Sequence, residues 1–224
     1  MKRFLSITLS LVFAVTAFAQ QKDVTKFLGI PVDGTKAEMI EKLKAKGFTI
    51  NPYVNDVLDG EFNGTEVHIS IVTNNNKVWR IWLIDANKRD SYQIRLRFNM
   101  LCEQFNNNKH YISLLDYTIP HDENIEHEMM INKKVYEAAF YQIPSDMQAY
   151  FDAQLNYIKT KYTEEQLTNP TEELNKKVSE DELSFFIETV SKKSVWFTIR
   201  EELGQYSIMM LYDNEYNHAN GEDL

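Results

Sequence analysis

Residues 121–131, HDENIEHEMMI, hold two histidines and four carboxylates in eleven positions. Imidazole and carboxylate groups bind zinc, and they also supply the acid and base of many hydrolases. HEMMI is one residue away from HExxH, which places two histidines at i and i+4 on one helical face. Here the second ligand position is Ile131, so the motif fails. His121 and His127 share a face only on a strand, where they stand about 20 Å apart. On a helix they sit about 120° apart around the axis. The D-x-[DN]-x-[DN]-G pattern of a calcium loop is absent. The reading is therefore no metal and no other cofactor. The stretch is expected to be a solvated loop running into a strand, with Ile125, His127, Met129 and Ile131 on one face.

Other chemistry is no better supported. GxSxG, Walker A and GxGxxG patterns are missing. A Ser–His–Asp set assembled from separated residues leaves no trace in a sequence. The single cysteine, Cys102, lies among Phe98, Leu101 and Phe105 at helical spacing. A reactive thiol needs an exposed, electropositive setting, so Cys102 reads as a buried thiol.

The elements that would position any site are easier to read. Thr35 to Glu38 is a T-x-x-E capping box, and Met39, Ile40 and Leu43 carry a helix behind it. Gly29 to Val32 reads as a short extended segment. Val67, Ile69 and Ile71 alternate with polar residues, Thr73 to Lys77 turns, and Val78 to Ile84 returns, which predicts a hairpin. Asn63-Gly64-Thr65 fits a glycosylation triplet but serves better as a strand turn. A helix is expected from Asp90 to Asn106. A further hairpin would turn at Asn132-Lys133, between Glu128–Ile131 and Val135–Tyr141. Ser145 to Gln148 reads as a capping box for a helix carrying Met147, Phe151, Leu155 and Ile158. Residues 163–182 are polar and acidic and read as a mobile surface excursion with short helical pieces. Ser179 to Glu182 is a third capping box, and Phe185 to Val190 fits either a helix or a strand. Two strands, Val195 to Arg200 and Tyr206 to Tyr212, close the pattern around Gly204.

This order predicts an α+β domain: an antiparallel β-sheet with helices packed on one face. It also allows two similar α-β halves, 20–107 and 108–224. The first 19 residues have a basic start, an apolar run from Phe4 to Val15, and Ala17-Phe18-Ala19 as a cleavage site, so 20–224 is the expected mature domain. The apolar run is short for a membrane span, and Gln20 stands where a lipoprotein would carry cysteine. Loss of Lys2 and Arg3 with the leader takes the net charge from −9 to −11. That charge argues against nucleic acid and against anionic lipid as partners. No membrane insertion is expected after cleavage, and the destination is the periplasm or the medium.

GIPVDGTKAEMIEKLKAKGF, DGEFNG, the VHISIV…VWRIWLI hairpin and YDNEYNHANGEDL together resemble a group of secreted proteins from Bacteroides-type bacteria that have no assigned activity. The helix start at Gly34-Thr35, feeding a β-meander, is similar at fold level to β-lactamase-inhibitor-like and SmpA/OmlA-like periplasmic proteins. That resemblance implies a sheet that binds protein rather than a catalyst.

The strand faces carry the best candidate site. Trp79, Ile81 and Leu83 should share one face, and Val78, Arg80, Trp82 and Ile84 the other. Val195, Phe197 and Ile199 form a clean apolar face, while Trp196, Thr198 and Arg200 form a mixed one. The clean faces should meet the helices. Arg80, Trp82, Trp196 and Arg200, with His68 beside them, are the residue types enriched at binding hot spots. The competing view leaves them half-covered or simply lining the sheet, because exposed apolar residues are common on any surface. Two functions follow. One is non-enzymatic binding of a protein or glycan through an open sheet face. The other is a hydrolase of cell-wall or dietary polymer using carboxylate and histidine groups.

Overall fold

The structure is a computed structural model describing residues 22–219. The expected leader, 1–19, lies outside the described residues. The first helix, α1 (Lys36–Lys44), starts where the capping box demands: Thr35 accepts from the Glu38 amide, and the Glu38 carboxylate accepts from the Thr35 amide. Before it, the short strands β1 (Lys26–Phe27) and β2 (Ile30–Pro31) form a small antiparallel ribbon.

Next come β3 (Thr49–Ile50), β4 (Val57–Phe62), β5 (Thr65–Asn74) and β6 (Lys77–Asp85). Helix α2 (Ser91–Asn106) follows, capped by Asp90 as expected. Then come β7 (Tyr111–Ile112), α3 (Ile125–Met130) and β8 (Glu137–Gln142). Helices α4 (Met147–Lys161), α5 (Glu164–Thr168) and α6 (Glu172–Ser191) stand between β8 and the last hairpin. That hairpin is β9 (Ser194–Glu202) and β10 (Gln205–Asp213).

The class is α+β, built on an antiparallel sheet of eight strands in the order β3-β4-β5-β6-β10-β9-β8-β7. Strands from the first part of the chain fill one side and strands from the second part fill the other, meeting where β6 pairs with β10. Three tight hairpins set the register. Asn63-Gly64, Asn75-Asn76 and Leu203-Gly204 all have positive φ at both turn residues, the twist that matches strand twist.

The inner face of the sheet carries Leu58, Ile69, Ile81, Leu83, Met210, Phe197 and Phe140. Against it pack Met39 and Leu43 of α1, Phe98 and Leu101 of α2, and Phe27 of β1. Phe98 meets Phe197 edge-on at 5.0 Å, and Phe27 meets Tyr212 at 4.9 Å. Helices α4 and α6 pack on each other. Tyr150 and Tyr157 bracket Phe185, and Lys161 and Tyr162 both bond Asp181. No described helix is long and apolar enough to cross a membrane.

Several expectations are overturned. HDENIEHEMMI does not run into a strand: Asn124 caps a short helix through the His127 amide, and Ile125 sinks into the core. No hairpin joins 128–131 to β8, which instead pairs with β7 and β9. The cap of α4 is Asp146, because Ser145 is engaged by Asp23. Much of the polar excursion 163–182 is helical. Its long helix starts at Thr171 after Pro170 and runs through Ser179, so 179–190 is helix and Ser179 is no cap. On β6 a bulge against Val72/Thr73 leaves Trp79 without a partner. It turns Val78 into the core and Trp79 out of it.

Candidate functional site

In an antiparallel sheet, directly opposed residues point the same way. The register therefore writes out the outer face row by row. One row reads Val57, Ser70, Trp82, Leu211, Trp196, Ala139 across β4, β5, β6, β10, β9 and β8. The row beside it reads Asp59, His68, Ile84, Met209, Thr198, Glu137. All five sequence-derived candidates, His68, Arg80, Trp82, Trp196 and Arg200, belong to this one face. Trp82 is 40% exposed, and Leu211 is buried between it and half-buried Trp196.

Arg80 is already engaged. Its Nε and one Nη donate to the two carboxylate oxygens of Asp213 at 2.6 and 2.7 Å. Trp196 Nε1 donates to the same carboxylate at 3.0 Å. The guanidinium lies 4.2 Å from the centre of the Trp79 ring. Arg80 thus fixes the platform more than it offers itself to a ligand. Arg200 stands exposed, opposite Ser207.

Beside Trp82 lies a pocket of about 390 Å³, lined by Asn51, Tyr53, His68, Ser70, Trp82 and Ile84 with two valines. Asp59 organises it from below. His68 Nδ1 lies 2.7 Å from an Asp59 oxygen, and Asn51 Nδ2 donates to both oxygens at 3.0 and 2.8 Å. The Asn51 side-chain oxygen in turn accepts the Tyr53 and Val54 amides at 2.8 Å each. One carboxylate therefore holds both the imidazole and the loop that carries Tyr53. The amide and imidazole donors keep the Asp59 carboxyl below its usual range.

Asp59, His68 and Ser70 are the three residue types of a hydrolytic triad. Asp59 lies directly across from His68, so the ring leans toward β4. Ser70 is two positions along β5, roughly 6.6 Å away at the backbone. The base–nucleophile bond a triad needs is not formed.

No family model, curated protein or solved structure matches the chain. The site therefore stands on its own geometry.

The histidine-rich stretch is elsewhere and serves local structure. Glu123 accepts from Lys134 and Tyr136, which lowers its carboxyl pKa, and Glu128 accepts from Asn132. The backbone oxygens of His121 and Glu123 receive Arg95. Among the described residues no group of three or more His, Cys, Asp or Glu side chains could hold a metal ion. A second groove, about 850 Å³, is lined by Lys26, Gln104, His110, Tyr111, Gln142 and Met147 among others. Its floor is satisfied internally. Gln142 bonds the Lys26 amide and carbonyl and the Tyr111 hydroxyl, which ties β1 to β8.

Sequence reasoning missed Asn51, Tyr53, Asp59 and Asp213. The signal for the first two was present: Asn51-Pro52 followed by Asn55-Asp56 is turn chemistry just before a strand. Asp213 gave none, because its partner Arg80 is 133 residues away.

Proposed function

We propose that this chain is an exported, non-enzymatic binding protein that offers the outer face of its central strands to a protein or glycan partner. The observation that carries the reading is the pair of indoles on one row, exposed Trp82 and half-buried Trp196 on either side of buried Leu211, locked in place by Arg80 and Asp213 and edged by the Tyr53 pocket. Hot spots are enriched in Trp, Tyr and Arg. The export half of the reading rests on the basic, apolar and Ala-x-Ala pattern of the first 19 residues. Material recovered outside the cytoplasm should begin at Gln20.

The test of the face is Trp82→Ala with Trp196→Ala, followed by capture of partners from the periplasm and medium of the native host. The expected double variant folds and loses its partner. A variant that unfolds makes these indoles core. A folded variant that still captures its partner places binding elsewhere.

The His68–Asp59 pair, with Ser70 two positions along β5 but not bonded to His68, is the observation behind a second reading, a hydrolase. It predicts labelling of Ser70 by a fluorophosphonate probe, abolished by Ser70→Ala. An unlabelled protein rejects it.

A further inference from the structure

We propose that the pocket framed by Tyr53, His68, Ser70 and Trp82 takes one ring of a neutral glycan. This rests on the outer-face reading and names its ligand class.

The argument begins with what lines the pocket. Trp82 gives a flat aromatic surface with 40% of its area exposed, and Tyr53, 92% exposed, stands on the loop at the opposite wall. Directly across the strands from Trp82 is Ser70, whose hydroxyl has no partner among the described residues. Next to Ser70 is His68. Its Nδ1 is taken by Asp59, so Nε2 is the remaining polar atom of the ring. Asp59 also fixes Asn51 and through it the backbone of the loop that carries Tyr53, so the imidazole and the loop backbone are held before a ligand arrives. At about 390 Å³ the pocket is within the ordinary range for small ligands.

Those features select among ligand chemistries. No Lys, Arg, Asp or Glu lines the pocket, so neither an anion nor a cation meets a charged side chain of opposite sign there. A wholly apolar ligand would strip water from Ser70 and His68 without replacing their hydrogen bonds. A pyranose satisfies both demands. Its face of C–H groups lies on an indole, and its hydroxyls at the ring edge both donate and accept. Sugar hydroxyls would reach the Ser70 hydroxyl and His68 Nε2 while the ring covers Trp82. Beyond buried Leu211 on the same row, half-buried Trp196 offers a second indole to further rings of a chain.

The experiment titrates the 20–224 chain with soluble neutral oligosaccharides of glucose, galactose, mannose, xylose and N-acetylglucosamine. Binding is read by calorimetry and tryptophan fluorescence. At least one series should bind. Trp82→Ala should weaken it about tenfold or more, and His68→Ala should weaken it as well. Saturation-transfer NMR on the unaltered protein, showing sugar C–H protons against the Trp82 ring, gives the same answer without a variant that has to fold. Failure of every neutral series overturns the glycan assignment. If a protein is then captured by the native chain and lost in Trp82→Ala, the outer-face reading stands without the glycan. Saccharide binding that ignores Trp82→Ala also overturns the assignment, because the site then lies elsewhere.

Discussion

Arg80 and Asp213 face each other across β6 and β10 and form a two-bonded ion pair, with the carboxylate almost wholly buried. The same carboxylate receives the Trp196 indole N–H. Removing it leaves a guanidinium without its counter-charge and an indole N–H without its acceptor. Breaking one side of such a pair is costlier than the pair's net worth, because the other charge stays behind. Asp213→Ala should cost about 3 kcal/mol in urea unfolding. A loss near zero would mean that Arg80 relaxes into water and that the platform is not locked.

The elements legible in the sequence are those fixed by neighbours in the chain. Thr35 and Asp90 cap their own helices, and the Asn-Gly and Asn-Asn turns close their own hairpins. Misreadings arose where two local signals competed. Ser179-x-x-Glu182 imitates a capping box inside α6, while Pro170 and the acidic pair Glu172-Glu173 mark the real start. Ile125 and Met129 fit one helical face as well as one strand face, and Asn124 decides for the helix. The faces of β5 and β9 could be read because the period of two is strict. On β6 one extra residue at Trp79 shifted Val78 and Trp79. Asp59 and Asp213, which organise the candidate site, do so through strand register, and register is not a local property.

Leu203 occupies the first turn position between β9 and β10 with φ +54° and is almost fully exposed. A leucine side chain is strained there, whereas asparagine tolerates left-handed φ and matches the Asn-Gly turn at Asn63. Leu203→Asn should raise stability by about 0.5–1 kcal/mol. Thermal melts that fall would show that Leu203 makes a contact its exposure hides.

Gly60 lies on the inner face of β4 against Phe48. A Cβ there would come within 2.2 Å of the Phe48 ring, and Phe48 is itself buried. The ring cannot retreat without moving the core, so Gly60→Ala should cost about 1–3 kcal/mol. Pairing it with Phe48→Leu should recover part of that loss. If no recovery occurs, Phe48 is not the obstacle.

Cys102 is buried in α2, and burial pushes its thiol up to about 12. Only the thiolate reacts readily. A thiol reagent at neutral pH should leave the folded chain unmodified and should label it once urea has unfolded it. Rapid labelling of the native protein would mean that α2 opens locally.

Asp59 makes the Tyr53 pocket sensitive to acid. Its carboxyl pKa is held below the ordinary value of 3.8, first by the Asn51 amide and then by His68. A group whose folded pKa is depressed stabilises the fold fully above its unfolded value. It loses that contribution as pH falls through its folded value. The structure held by Asp59 should therefore be intact at neutral pH and loosen only below the ordinary carboxylate range. Loss of the charge frees Asn51, and with it the bonds from the Tyr53 and Val54 amides. Those two amide resonances should shift together in nuclear magnetic resonance spectra on titration from about pH 6 to about pH 2, with a midpoint below the normal Asp range. In Asp59→Asn the step should vanish, because the carboxylate that anchors Asn51 is then gone. A wild-type titration in which Tyr53 and Val54 move at different midpoints would separate the loop from Asp59. The pocket would then lack the single anchor on which its preorganisation depends.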